Sequence, residues 1–220
     1  LTKEGNLVTN WDGYLSNLPS SKTQENNNKR PIFVASAINF NPAIKFDGDD
    51  YLKWAGDANE LWFKDDNQIT VYSIVQADDT ANRGWIDTRF GNDNEYRDSS
   101  EELFVFQKSD NNRYYFGANG TSSPNYIKLT SELTTKPTMF GFSYDGSDYD
   151  KTNVDNIYDA FLNGEEYTVE GENKEIGSVG SNADQFVLGE NDDGNPSAKD
   201  YWKGHIAEVL TFNKVLDDDE

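Results

Sequence analysis

Cysteine is absent from this 220-residue chain, and histidine and methionine each occur once. Without thiols there is neither a disulfide framework nor a thiolate metal site. The single histidine, His205 in "WKGHIAEV", cannot assemble a His-rich zinc centre. A Ser-His-Asp triad would have to use that residue, and no Gly-x-Ser-x-Gly elbow accompanies it. Strand alternation with Ile206 makes His205 a plain surface histidine instead. No phosphate cradle is present, because "GANGTSS" (117–123) has too little glycine and no following lysine. Bases are scarce, 19 against 40 acids, for a net charge of −21. That balance disfavours nucleic acid and anionic membrane surfaces, both of which need Lys and Arg to displace counterions. Long apolar runs are missing too, so no segment reads as a membrane span, and no signal-peptide pattern is visible.

What the chain does have is aromatic mass: 13 Phe, 12 Tyr and 5 Trp, 14% of all residues. Disordered chains lack such side chains. They recur in short runs with strand character: "PAIKFDG", "QITVYSIVQ" (68–76), "GWIDTRF" (84–90), "ELFVFQ" (102–107), "RYYFG" (113–117), "NYIKLT" (125–130), "TMFGFSY" (138–144), "QFVLG" (185–189) and "YWKGHIAEVLTF" (201–212). "QITVYSIVQ" is apolar enough on both faces to be a central strand. In "NIYDAFLNGEEYTV" (156–169) two strand-like runs flank Asn163-Gly164, the favoured pair for a type I′ hairpin. Residues 1–30 are weakly patterned, and "PSSKTQENNNKR" reads as an exposed, turn-rich stretch. Helix is confined to "AGDANELWF" (55–63) and a start at "LDDDE". About a dozen short strands with Gly, Asn and Asp turns predict an all-β fold, an antiparallel β-sandwich of jelly-roll type, as one domain over residues 1–220. The abrupt start at Leu1 and the "VLDDDE" end suggest a piece of a longer protein.

Paired carboxylates on one strand face, as a glycosidase needs, are not found at alternate spacing. Glu208 comes nearest, sharing parity with Ile206, Leu210 and Phe212, so it lies on the apolar face unless a bulge turns it away. Oxygen ligands on loops survive as a constellation, and they are the chemistry of Ca²⁺. "FDGDDYL" offers Asp47, Asp49 and Asp50; "YDGSDYDKTNVDN" offers Asp145, Asp148, Asp150 and Asp155; "ENDDGN" offers Glu190 to Asn195. None matches the twelve-residue EF-hand loop, and Asp and Asn favour solvated turns in any case.

The order of these pieces resembles the laminin-G-like, concanavalin A-like lectin jelly rolls of bacterial surface proteins. The resemblance runs from "VTNWDGYLSN" and "RPIFV" through "NPAIKFDGDDYL", "ITVYSIVQ" and "AFLNGEEYTV" to "WKGHIAEVLTFNKVL", whose Gly-x-Ile-Ala-Glu-Val strand is its most specific part. It implies two packed antiparallel sheets in an extracellular or cell-surface module of a larger multidomain protein. The implied function is non-catalytic recognition of a glycan or surface ligand, as in an adhesin. The stretch "LGENDDG" is also similar to the calcium loop of the pentraxins, which follows an apolar strand ending Leu-Gly. That likeness implies Ca²⁺ ligands at Asn191, Asp192 and Asp193, another near Asp200, and an upstream pair falling on Ser100 and Glu101, with Asp98 close by. Ser100 departs from the carboxylate expected there, and the loop is shorter than the pentraxin one.

Exposed aromatics would serve a lectin as stacking platforms, since sugar C–H faces are apolar. Trp54, Trp85, Tyr96, Tyr149 and Tyr201 lie in or beside loops and are the candidates. A spacer or protein-interaction domain without a small ligand is the alternative. A polysaccharide lyase or hydrolase is a third reading, for which no spaced carboxylates or His-Tyr-Arg cluster is found.

Overall fold

Period-two alternation organises the chain, and in the strand Gln68–Ala77 it buries Ile69, Val71, Ser73, Val75 and Ala77 while Tyr72, Ile74 and Gln76 face outward. The computed structural model describes residues 1–13, 22–54, 68–88, 103–108, 113–118, 127–129, 131–145, 158–171, 186–190 and 200–217. Along them run β1 (Thr2–Glu4), β2 (Leu7–Trp11), β3 (Lys22–Thr23), β4 (Ile32–Ile38), β5 (Asn41–Asp47), β6 (Leu52–Trp54), β7 (Gln68–Ala77), β8 (Arg83–Asp87) and β9 (Leu103–Lys108). There follow β10 (Arg113–Ala118), β11 (Ile127–Leu129), β12 (Thr138–Asp145), β13 (Tyr158–Leu162), β14 (Glu165–Glu166), β15 (Val169–Gly171), β16 (Val187–Leu188) and β17 (Lys203–Phe212).

The pairings between these strands are antiparallel and make two leaves of one curled sheet. The first leaf runs β14-β13-β12-β7-β17-β5-β4. The second runs β6-β16-β8-β9-β10-β11-β15. At one edge β2 and β3 carry the hydrogen bonds from β4 round to β6. This is the expected antiparallel jelly-roll sandwich, with β7 central in its leaf as its sequence implies. Between the leaves sit Phe46, Trp85, Phe140, Phe142, Tyr144 and Trp202, all essentially without solvent contact. The Trp85 indole N–H donates to Ser73 Oγ at 3.1 Å, which satisfies its polar atom inside the core.

The Asn163-Gly164 hairpin forms as expected: both residues have positive φ, 53° and 85°, and Leu162 pairs with Glu165 across the turn. In β17 the glycine of Gly-x-Ile has a physical role. Gly204 sits at φ 147°, and a Cβ there would come within 2.2 Å of the Gln76 carbonyl oxygen. Only glycine lets β17 close against β7 at that point.

Two expectations are corrected. Within the first 30 residues, the described stretches 1–13 and 22–30 carry more regular structure than their pattern suggests, with β1 to β3 and a 3₁₀ turn at Asn27–Lys29. Gln24 within the polar stretch is buried; its Nε2 donates to the Tyr51 carbonyl at 3.3 Å and its Oε1 accepts the Asn26 N–H at 2.9 Å. The second correction concerns β17, whose register against β7 shifts between Ile206 and Glu208. Ala207 is the extra residue of this bulge, and beyond it Glu208 faces solvent instead of the core. The helix expected at 55–63 lies outside the described residues, and so do residues 218–220 of the start expected at "LDDDE" (216–220).

Candidate functional site

Beyond the bulge, β17 presents Glu208, Leu210 and Phe212 on the outer face of the first leaf, away from the core. Register places Leu210 beside Tyr72 of β7, Tyr72 beside Gly141 of β12, Gly141 beside Phe161 of β13, and Phe161 beside Glu166 of β14. One row of side chains thus crosses five strands. A parallel row runs Phe212, Thr70, Ser143, Asp159. Together they line a groove of about 510 Å³, closed along one side by Leu216 and Asp217 of the tail after β17. Volumes of about 300–1,000 Å³ are typical of small-ligand sites.

Gly141 is what gives the groove its floor. One edge of the Tyr72 ring packs against it, so that a Cβ at 141 would come within 2.5 Å of the ring's Cδ1 and Cε1. Tyr72 and Phe161 stand 6.5 Å apart, tilted by 38°. Ser143 Oγ donates to Asp159 Oδ2 at 3.0 Å. Thr70 Oγ1 donates to the Lys214 carbonyl at 2.8 Å and accepts the Leu216 N–H at 3.3 Å, which holds the tail in place as a wall. Leu210 is 43% exposed, an apolar surface left uncovered on this face. Aromatic and aliphatic walls with carboxylates at the rim suit a ligand that has both C–H faces and hydroxyls.

None of these residues stands out in the sequence as a site, because each sits inside a strand. The one available signal is Gly141 within "TMFGFSY", since a glycine in a strand interior marks a close approach. The stacking candidates fare differently. Trp85 is no surface platform: it is fully buried against Trp202, Phe140 and Tyr114, with ring centroids 5.1, 5.6 and 6.2 Å away. Tyr201 is half-buried, 6.3 Å from the Tyr51 ring and with Lys29 Nζ 5.5 Å from its centroid. Trp54 falls at the end of β6. Tyr96 and Tyr149 lie outside the described residues.

Of the calcium candidates, Asp98, Ser100, Glu101, Asn191, Asp192 and Asp193 lie outside the described residues. Asp200 gives its carbonyl to the Gly84 N–H at 2.9 Å. Glu190, beside that loop, is buried. The acidic turn after β5 brings carboxylate oxygens of Asp47, Asp49 and Asp50 within 4.8 Å of one another. Lys29 Nζ binds Asp49 at 2.5 Å and holds its carboxyl below the usual range. Asp50 accepts the Asp47 N–H at 3.0 Å but is buried, and burial, with Asp47 and Asp49 beside it, pushes its pKa up to about 6. His205 is half-buried rather than plainly exposed; burial, and then Lys45, depress its pKa. Glu208, the nearest approach to a buried general acid, is exposed.

No protein-family model matches the chain, and no match is found among curated proteins. Solved structures do match. The CBM40 carbohydrate-binding module of the Ruminococcus gnavus IT-sialidase, solved with α2,3-sialyllactose, aligns at TM-score 0.61 and 14% identity, covering 80% of this chain and 92% of that one. Domain 4 of AbnA, a GH43 extracellular arabinanase from Geobacillus stearothermophilus solved with arabinotriose, aligns at TM-score 0.53 and 19% identity, over 82% and 74%. Mouse laminin α1 chain domains LG4-5 align at TM-score 0.53 and 8% identity, over 94% of this chain and 54% of that one. At these identities the likeness speaks for architecture alone: the chain has the antiparallel sandwich fold seen in carbohydrate-binding modules and laminin G domains.

Proposed function

We propose that this chain is a non-catalytic glycan-binding module and that its saccharide lies in the groove over Tyr72, Gly141 and Phe161. The observation that carries the reading is the Tyr72 ring packed by its edge into the space a strand glycine leaves, beside Phe161, on a sheet face the core does not use. Aromatic rings flanked by carboxylates offer contacts to both a sugar's apolar face and its hydroxyls. The solved neighbours with sialyllactose and with arabinotriose support the reading by analogy of fold. The module would belong to a larger extracellular or cell-surface protein, such as an adhesin. Among the described residues no helix is long and apolar enough to cross a membrane.

A glycan array with the intact chain should give binding that Tyr72→Ala removes without changing the melting temperature by more than a few degrees. Gly141→Ala should weaken the same binding by lifting the Tyr72 ring from the sheet. Full retention of binding in both variants would move the site elsewhere; the absence of binding to any glycan would leave the spacer reading in its place.

Calcium is a separate part of the proposal. The turn of Asp47, Asp49 and Asp50 supplies up to three hard oxygens, where the ion takes six to eight, so carbonyls or water must complete the shell. The loop of Asn191, Asp192 and Asp193, with Asp200 and the Asp98–Glu101 segment, is the other place proposed for it.

A further inference from the structure

Building on the glycan reading of the groove, we infer that its ligand is a saccharide free of acidic groups, and that the site discriminates against sugars carrying a carboxylate. Among the described residues, every charged side chain lining the groove is an acid: Asp159, Glu166 and Asp217. Among those same described residues no lysine or arginine lines it. The hydroxyl donors are already committed inward. Ser143 donates to Asp159 Oδ2, and Thr70 donates to the Lys214 carbonyl. Apart from the Tyr72 phenol, the groove therefore meets a ligand with acceptors. Sugar hydroxyls bring the donors such a surface needs, whereas a carboxylate brings acceptors only. It also brings a negative charge to three others, inside a chain whose net charge is already −21. Binding of a sialylated glycan by a charge-complementary site would need a basic partner that this groove does not provide among its described residues. The neighbour solved with sialyllactose thus shares the architecture, while the chemistry of this groove points to a different class of sugar.

The test is calorimetry at low salt on a panel of matched pairs, with lactose against α2,3-sialyllactose and xylo-oligosaccharides against their glucuronic acid-bearing forms, plus arabinotriose and chitosan oligosaccharides. The best non-acidic sugar should bind at least about tenfold more tightly than its acidic counterpart. That gap should shrink as salt screens the carboxylates. The triple variant Asp159→Asn/Glu166→Gln/Asp217→Asn should close most of the gap, and Tyr72→Ala should abolish binding of both members of the pair. Equal or tighter binding of the acidic sugar, lost with Tyr72→Ala, would overturn the charge inference and leave the glycan reading standing. A gap unchanged in the triple variant would overturn its assignment to these acids. No binding of any sugar by folded protein would overturn the glycan reading itself.

Discussion

Asp50 carries a conflict that pH can expose. Its carboxyl is ordinary at 3.8 when unfolded, whereas in the fold burial raises it to about 6. Between those values the folded state holds the proton more tightly than the unfolded state does. The stability Asp50 contributes is therefore complete below about pH 3.8 and declines as pH rises through about 6. Asp50→Asn keeps an oxygen for the Asp47 N–H and removes the buried charge. It should melt higher than the parent at neutral pH, with the advantage vanishing towards pH 4 in a series of thermal scans. A constant advantage across that range would mean the charge is not what the substitution relieves. At this scale the sequence tells residue type but not surroundings. Trp85 and Tyr201 both look like loop-edge aromatics in sequence, yet Trp85 is core because Ser73, twelve positions upstream, meets its indole N–H.

At the scale of the element, β17 is an interior strand of its leaf, pairing with both β5 and β7. Gly204→Ala would force a methyl into the Gln76 carbonyl. We expect a loss of about 2–4 kcal/mol, read as a lower urea midpoint with an unchanged m-value. Elements were the most legible level. Alternation in "QITVYSIVQ" and the Asn163-Gly164 pair predict β7 and the β13–β14 hairpin by local chemistry alone. Strands of two or three residues, such as β1, β3 and β15, are too short for any period to register; partners elsewhere in the chain define them. The groove was illegible for the same reason. Tyr72, Gly141, Phe161 and Leu210 become neighbours only through the registers of β7, β12, β13 and β17, which no single segment encodes.

For the whole molecule, 40 acids against 19 bases make self-repulsion a general cost. Sodium chloride should raise the melting midpoint through screening. Calcium chloride matched for ionic strength should raise it further if an ion is held by the native state, and a chelator should reverse only that second increment. Equal effects of the two salts would argue for screening alone. If the ion sits at the Asp47–Asp50 turn, calcium should also erase the advantage of Asp50→Asn at neutral pH, because the buried carboxylate then has its counter-charge.

The bulge at Ala207 ties these scales together. Gly204 and Ile206 face the interior in one phase of the strand; Glu208, Leu210 and Phe212 are turned outward in the other. Flattening the bulge with every residue kept would shift the second half by one position, driving Glu208 inward and replacing the groove's Leu210 and Phe212 with Val209 and Thr211, whereas deleting Ala207 would leave all of them facing as they do. The one-residue offset that Ala207 takes up between Ile206 and Glu208 is thus itself a determinant of what this surface can hold, as much as any side chain along it.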